Sequence, residues 1–277
     1  MNRKGVAELA GSVALGAWAA FGVLALVVSG RGGAPLFLDH GLLNWSVGHR
    51  TPVTQALARG LTDTGTGVVP YALVALAGLL AGRTRRRRVV AALFGVACLA
   101  VGQAARYGVM QLVARTRPPH EYWRTEASGW SFPSGHTTTS ALTAGLVILA
   151  LCVRMPRGRL PLCLAVGCWG AAVGLTRIFL GVHWFTDVLG GWLFAIGWLG
   201  TCLCAAAWWL PDRLIFGTDT GTGTDTGSVS GRGTSTGTGT GTGTDEPGPL
   251  PLTDSADAPL ENHAPQDPGR RGRSRPA

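Results

Sequence analysis

The feature that most constrains this chain is a series of six long apolar stretches, over 9–30, 64–82, 89–113, 134–153, 160–176 and 188–210. Roughly 20 apolar residues suffice to cross the hydrocarbon core of a bilayer. No water is available there to satisfy backbone N–H and C=O groups, so each stretch is expected to be helical. Gly, Ala, Ser and Thr recur within them and permit close helix packing. The first stretch follows Arg3 and Lys4, but it is longer than the apolar region of a signal peptide and reads as a retained helix. The expected fold is all-α: a six-transmembrane-helix bundle over 1–216. Trp184, Trp192, Trp208 and Trp209 flank the last stretch as interfacial anchors do.

Composition agrees with a membrane protein. Hydrophobic residues make up 46% and charged residues 14%, against roughly 25% charged in soluble domains. This excludes a fully disordered chain and a nucleic-acid-binding tail protein, so no nucleic-acid partner is expected. The net charge of +9 is uneven. Residues 1–216 carry 19 basic and 7 acidic side chains, whereas 217–277 carry 5 and 8. The 217–277 segment alternates Gly and Thr and then turns Pro-rich, a composition that cannot bury a core, and reads as a disordered cytoplasmic tail. The six cysteines all lie in apolar runs, as small packing residues.

The arginines give orientation. Arg83 and Arg85 to Arg88 separate stretches two and three, and Arg154, Arg157 and Arg159 separate four and five. Arg3 and Lys4 precede the first stretch and Arg213 follows the last. Alternating spans put all of these on one side, which the positive-inside rule makes cytoplasmic, with both termini. The extracytoplasmic side receives 31–63, 114–133 and 177–187. The first of these includes a short interfacial helix over about 41–61. Arg115, Arg117, Arg124 and Arg177 break the charge rule and need another reason to be there.

Three clusters share that side. In Arg177-x5-His183-x3-Asp187, the last two residues are four apart and share a face where a helix begins. A carboxylate on one ring nitrogen fixes the tautomer and frees the other as nucleophile or base. In Pro133-Ser134-Gly135-His136, Ser134 reads as an N-cap, Gly135 admits an anion to the helix terminus, and His136 is placed to donate a proton to a leaving oxygen. In Arg115-Thr116-Arg117-Pro118, the prolines end a helix and the guanidiniums suit phosphate. Each motif alone has an ordinary explanation in capping, helix dipoles or interfacial pairing. Together they supply a nucleophile, its orienter, an acid and fixed positive charge, the set a phosphoryl transfer through phosphohistidine requires. No EF-hand, clustered metal-ligand spacing or Walker sequence appears, so no metal or cofactor is expected.

These motifs resemble those of the type-2 phosphatidic acid phosphatase superfamily, which includes the vanadium haloperoxidases. Its signature is Lys-x6-Arg-Pro, Pro-Ser-Gly-His and Ser-Arg-x5-His-x3-Asp. The second part is complete at 133–136, and the third has Thr176 in place of Ser. The resemblance implies that His183 takes the phosphoryl group, that Asp187 orients it, and that His136 protonates the leaving oxygen and then activates water. Arg117, Arg177, Ser134 and Gly135 would hold the phosphoryl oxygens. The family lysine, seven residues before Arg117, is Met110 here. Arg106 lies one turn deeper on the same helix face, about 6 Å along the axis, and is expected to supply the missing charge, with Arg115 as the other candidate. The implied activity is that of an integral membrane phosphatase acting on a lipid phosphate or diphosphate such as polyprenyl diphosphate, phosphatidic acid or phosphatidylglycerol phosphate. A phosphotransferase using the same site, and a non-catalytic phospholipid-binding protein, stand as alternatives.

Overall fold

The computed structural model describes residues 3–155 and 157–209. The 217–277 tail lies outside the described residues. Eight α-helices follow in order: α1 (Arg3–Gly30), α2 (Phe37–Gly48), α3 (Pro52–Asp63), α4 (Val68–Ala81), α5 (Arg85–Val113), α6 (Gly135–Arg154), α7 (Leu160–Phe179) and α8 (Phe185–Trp209). A single 3₁₀ turn, His120–Tyr122, lies between α5 and α6. Among the described residues, five helices, α1 and α5 to α8, are long and apolar enough to cross a membrane. The chain is a multi-pass membrane protein.

The second expected span takes a different form from a single helix over 64–82. At 14 residues, α4 is about 21 Å long, short of the ~30 Å hydrocarbon core. It reaches span length only together with α3, from which it is bent by 52°. Thr64-Gly65-Thr66-Gly67 makes the break, with Gly67 at φ 69°, a backbone conformation that glycine adopts without strain. The 31–63 segment holds two helices rather than one. Thr51 separates them: its hydroxyl accepts from the Thr54 N–H at the start of α3, and Pro52 occupies the first turn.

Small residues set the helix contacts. A Cβ on Gly78 of α4 would lie 2.5 Å from the Ala92 backbone of α5, and one on Gly200 of α8 would lie 2.8 Å from the Ala14 methyl of α1. Gly170 of α7 meets Ala144 and Ser140 of α6 in the same way. These approaches bring α4 against α5, α8 against α1, and α6 against α7. The interior is built from Phe21, Val28, Phe132 and Phe194 on one side, and Val74, Leu99, Leu142 and Ala195 on the other. Leu15, Leu26, Leu93 and Leu112 face outward, as apolar side chains do when lipid rather than water surrounds the bundle.

Two of the expected tryptophan anchors are elsewhere. Trp184 is buried and donates to the Thr116 carbonyl. Trp192 packs against Gly174 of α7. Their indoles fill gaps between helices, whereas Trp208 is exposed. The ends of α5 and α7 and the starts of α6 and α8 bring the three polar motifs to one end of the bundle.

Candidate active site

A cavity of about 400 Å³ opens at that end. Six of the eight residues expected at the site line it: Arg106, Arg117, Gly135, His136, Arg177 and His183. Asp187 and Ser134 are fully buried behind it.

His183 sits in the short link between α7 and α8, where Gly181 at φ 75° turns the chain. Its Nδ1 lies 3.3 Å from Asp187 Oδ2, and its Nε2 lies 2.8 Å from Arg117 Nη1. A guanidinium only donates. Nε2 therefore carries the lone pair, and the single ring proton is on Nδ1, facing the carboxylate. Asp187 Oδ2 also accepts the Trp184 N–H, which holds the carboxylate in place. Burial first, then Arg117 and Arg177, keep His183 well below the ordinary imidazole pKa. The ring is thus a neutral imidazole with its lone pair among cations.

Arg117 spends all five of its N–H groups on the protein. Besides His183 Nε2, it donates to the carbonyls of Val182, Gly129, Ser128 and Trp130. Its charge reaches the cavity, and it also fixes the segment before α6 against the His183 turn. Arg177, from the last turn of α7, donates to Thr62 of α3 while its Nε is buried without a partner. Arg106 donates from Nη1 to Met110 Sδ at 3.2 Å, and its Nε is likewise unpartnered. Its guanidinium lies 3.4 Å from where a Cβ on Gly135 would be. Among the described residues, none of these three arginines has a carboxylate at ion-pair distance. Two buried or half-buried guanidiniums with unused N–H groups, Arg106 and Arg177, beside the fully bonded charge of Arg117, call for an anion.

At the start of α6, Ser134 does not cap the helix with its side chain. Its hydroxyl instead accepts from Thr137, and its N–H donates to the Asp187 carbonyl, docking α6 onto α8. Ser134 thus holds the expected N-cap position in extended geometry, but its hydroxyl is paired with Thr137 Oγ1 of the same first turn rather than with a backbone N–H. The terminus itself remains open at Gly135, and its free N–H groups add positive potential. His136, in the first turn, lines the cavity and has no hydrogen-bond partner among the described residues.

Arg115 is not at the cavity, so it does not stand in for the missing lysine. It is fully buried and divides its guanidinium between Asp187 Oδ1 at 2.6 Å and Asp39 Oδ2 at 2.7 Å. Asp39, from α2, also accepts the N–H and hydroxyl of Thr186 and the N–H of Leu36. Sequence reasoning missed Asp39 and Thr186, and with them the cavity's outer lining of Thr66, Gln103, Tyr107, Glu126, Trp130 and Thr139. Among the described residues, no three His, Cys, Asp or Glu side chains come together as metal ligands.

A neutral histidine backed by a carboxylate, a second histidine, three guanidiniums and an open helix terminus meet at one end of the bundle, a set chemically suited to an anion. Comparison with known proteins gives the family. The PAP2 superfamily matches residues 96–211, which contain all three motifs. The decaprenylphosphoryl-5-phosphoribose phosphatase of Mycobacterium tuberculosis is 33% identical over 143 residues, 50% of this chain and 73% of that protein. Phosphatidylglycerophosphatase B of Bacillus subtilis is 28% identical over 153 residues, 54% of this chain and 73% of that protein. A crystal structure of a transmembrane PAP2-type phosphatidylglycerolphosphate phosphatase from Bacillus subtilis superposes with a TM-score of 0.59 at 22% identity, covering 70% of this chain and 93% of that one. The chain belongs to the PAP2 superfamily and is a phosphoric ester hydrolase of the membrane lipid phosphatase kind.

Proposed function

We propose that this protein hydrolyses a lipid phosphomonoester, or the terminal bond of a lipid diphosphate, through a phosphohistidine on His183. The observation that carries this reading is the placement of the ring: Nδ1 faces Asp187, and Nε2, on a residue that lines the cavity, carries the lone pair that accepts from Arg117 Nη1 until a phosphoryl group takes its place. The first step forms an Nε2–P bond as the P–O bond to the leaving group breaks. The electron pair goes to the leaving oxygen, which takes a proton from His136. The ring, with Nδ1–H retained, then carries a positive charge opposite Asp187. His136, now neutral, takes a proton from water as the water oxygen attacks phosphorus and the N–P bond breaks. Phosphate is released and both histidines return to their starting states.

Arg106, Arg177 and the Gly135 N–H hold the phosphoryl oxygens, and the charge of Arg117 acts on them from behind. A bound phosphate dianion supplies the negative charge beside which His136 is protonated. Arg106 takes the part of the lysine absent at Met110. The distribution of arginines along the chain favours an extracytoplasmic site and cytoplasmic termini. The names of the relatives direct the choice of substrates to phosphatidylglycerol phosphate and a polyprenylphosphoryl-ribose phosphate first, with phosphatidic acid and polyprenyl diphosphate beside them.

The test is phosphate release by purified protein in detergent over these four substrates, with His183→Ala in parallel. Release by the wild type and none by folded His183→Ala is expected. Turnover that survives His183→Ala contradicts the histidine route. Transfer of phosphate to an added lipid or sugar alcohol without free phosphate makes the protein a phosphotransferase.

A further inference from the structure

The charge balance behind His183 involves a residue from outside the three motifs. In the reaction proposed above, the phosphorylated ring is a cation. On its cavity side it faces Arg117 from the segment after α5, Arg106 from α5, Arg177 from α7 and His136 from α6. The charged groups among these are all positive, and the one carboxylate in the cavity lining, Glu126, is exposed. On its other side, Asp187 of α8 is the one carboxylate hydrogen-bonded to the ring among the described residues. Yet Asp187 is itself paired with Arg115 at 2.6 Å, and both side chains are wholly buried. The phosphoryl group carries its own negative charge toward the arginines. On the opposite side of the ring, Asp187 and Arg115 alone sum to zero, leaving no net negative charge behind the cationic ring in a site of low dielectric constant. Asp39 changes that sum. Its carboxylate takes the other end of the Arg115 guanidinium at 2.7 Å, also wholly buried. The three groups together carry a net charge of −1.

We propose that Asp39 is a positioning residue for the phosphoryl transfer: by sharing Arg115 with Asp187, it leaves Asp187 free to stabilise the cationic phosphohistidine ring. Its place in the fold fits that task. Asp39 sits in the first turn of α2, and Leu36 N–H donates to its Oδ2. Its Oδ1 accepts the Thr186 N–H at 2.9 Å, one residue before Asp187 on the chain. The Arg115 Nε–H and Nη2–H also reach the Gly33 and Ala34 carbonyls, so the segment between α1 and α2 closes over the cluster. Asp39 does not line the cavity and does not touch substrate. This inference rests on the phosphohistidine reading.

Asp39→Asn tests it, because the amide keeps the shape and loses the charge. The expected result is kcat lowered about tenfold or more with KM little changed, the signature of an interaction made only as charge develops. The amplitude of acid-labile phosphoenzyme in rapid-quench runs is expected to fall with it, because formation slows while the less stabilised cation breaks down readily. Thr186→Val is the control. It keeps all three charges of the cluster but removes the hydroxyl that donates to Asp39 and accepts from Arg115 Nη1, so it is expected to lower thermal stability while kcat stays near wild type. Folded Asp39→Asn with wild-type kcat overturns the inference. So does Thr186→Val losing as much kcat as Asp39→Asn, since the contribution is then hydrogen bonding rather than charge. If Asp39→Asn does not fold, Thr186→Val decides alone: a large loss of kcat there refutes the charge role, and preserved kcat upholds it. The underlying reading fails separately, through activity retained by His183→Ala.

Discussion

Arg106 and Met110 offer a charge that can be moved one helical turn without rebuilding the site. The Arg106 guanidinium reaches Met110 Sδ at 3.2 Å, and both side chains line the cavity. Arg106→Met removes one cation and leaves the helix intact. A hydrogen bond to a charged group contributes about 1.5–3 kcal/mol. At about 1.4 kcal/mol per decade, kcat/KM for phosphate release is expected to fall about 10- to 150-fold. Thermal stability in detergent is expected to hold or rise, because the Arg106 Nε is buried without a partner and its removal ends an uncompensated cost. Adding Met110→Lys to Arg106→Met returns an ammonium to the same stretch of cavity wall, and is expected to recover most of the lost kcat/KM. The assay is kcat/KM on a lipid phosphate in mixed micelles for the wild type, the single variants and the double variant. Undiminished kcat/KM in Arg106→Met refutes the reasoning. So does a double variant no more active than Arg106→Met although equally folded, because position 110 then lies out of reach of the phosphoryl group.

Other consequences are testable in the same preparations. Arg115→Met removes the single cation between two buried carboxylates and is expected to lower stability by about 3–5 kcal/mol, read as a large fall in melting temperature that Arg106→Met does not share. Gly78→Val drives a side chain into the Ala92 backbone, 2.5 Å from the position of its Cβ. It is expected to cost about 1–3 kcal/mol through overpacking between α4 and α5, with kcat little changed in the fraction that remains folded. Burial, with Arg117 and Arg177, lowers the His183 pKa. The unfolded chain therefore binds a proton near pH 6.5 that the folded protein refuses, and the stability contributed above that pH is lost as pH falls through it. The nucleophile stays neutral over the same range, so a protein-derived acid limb of kcat above pH 6.5 is contrary to expectation.

Much of this was legible in the sequence. The five long helices lie close to the stretches their hydropathy marks, because lipid imposes helix on any long apolar run. The three motifs are local in sequence, and each lies at a helix end that Gly or Pro announces. What escaped reading depends on distance. Asp39 and Arg115 are 76 residues apart, and Arg115 and Asp187 are 72 apart. Nothing local distinguishes Arg115 from Arg117, although one is buried in an ion-pair cluster and the other faces the cavity. The Thr51-Pro52 start of α3 did carry a signal, a capping threonine before a proline, and marks the division of 31–63 into two helices. Ser134 stands at the N-cap position, as its local sequence indicates, but its hydroxyl pairs with Thr137 Oγ1 in the same first turn rather than with a backbone N–H.

The central claim is that His183 Nε2 takes the phosphoryl group. The most direct measurement is rapid acid-free quench of the protein with a ³²P-labelled lipid phosphate, followed by proteolysis and mass spectrometry of the labelled peptide. Label on the peptide containing His183, stable to base, labile to acid and absent from His183→Ala, is the predicted result. A full round of phosphate release in which label never enters the protein, or enters it at any residue other than His183, contradicts the account.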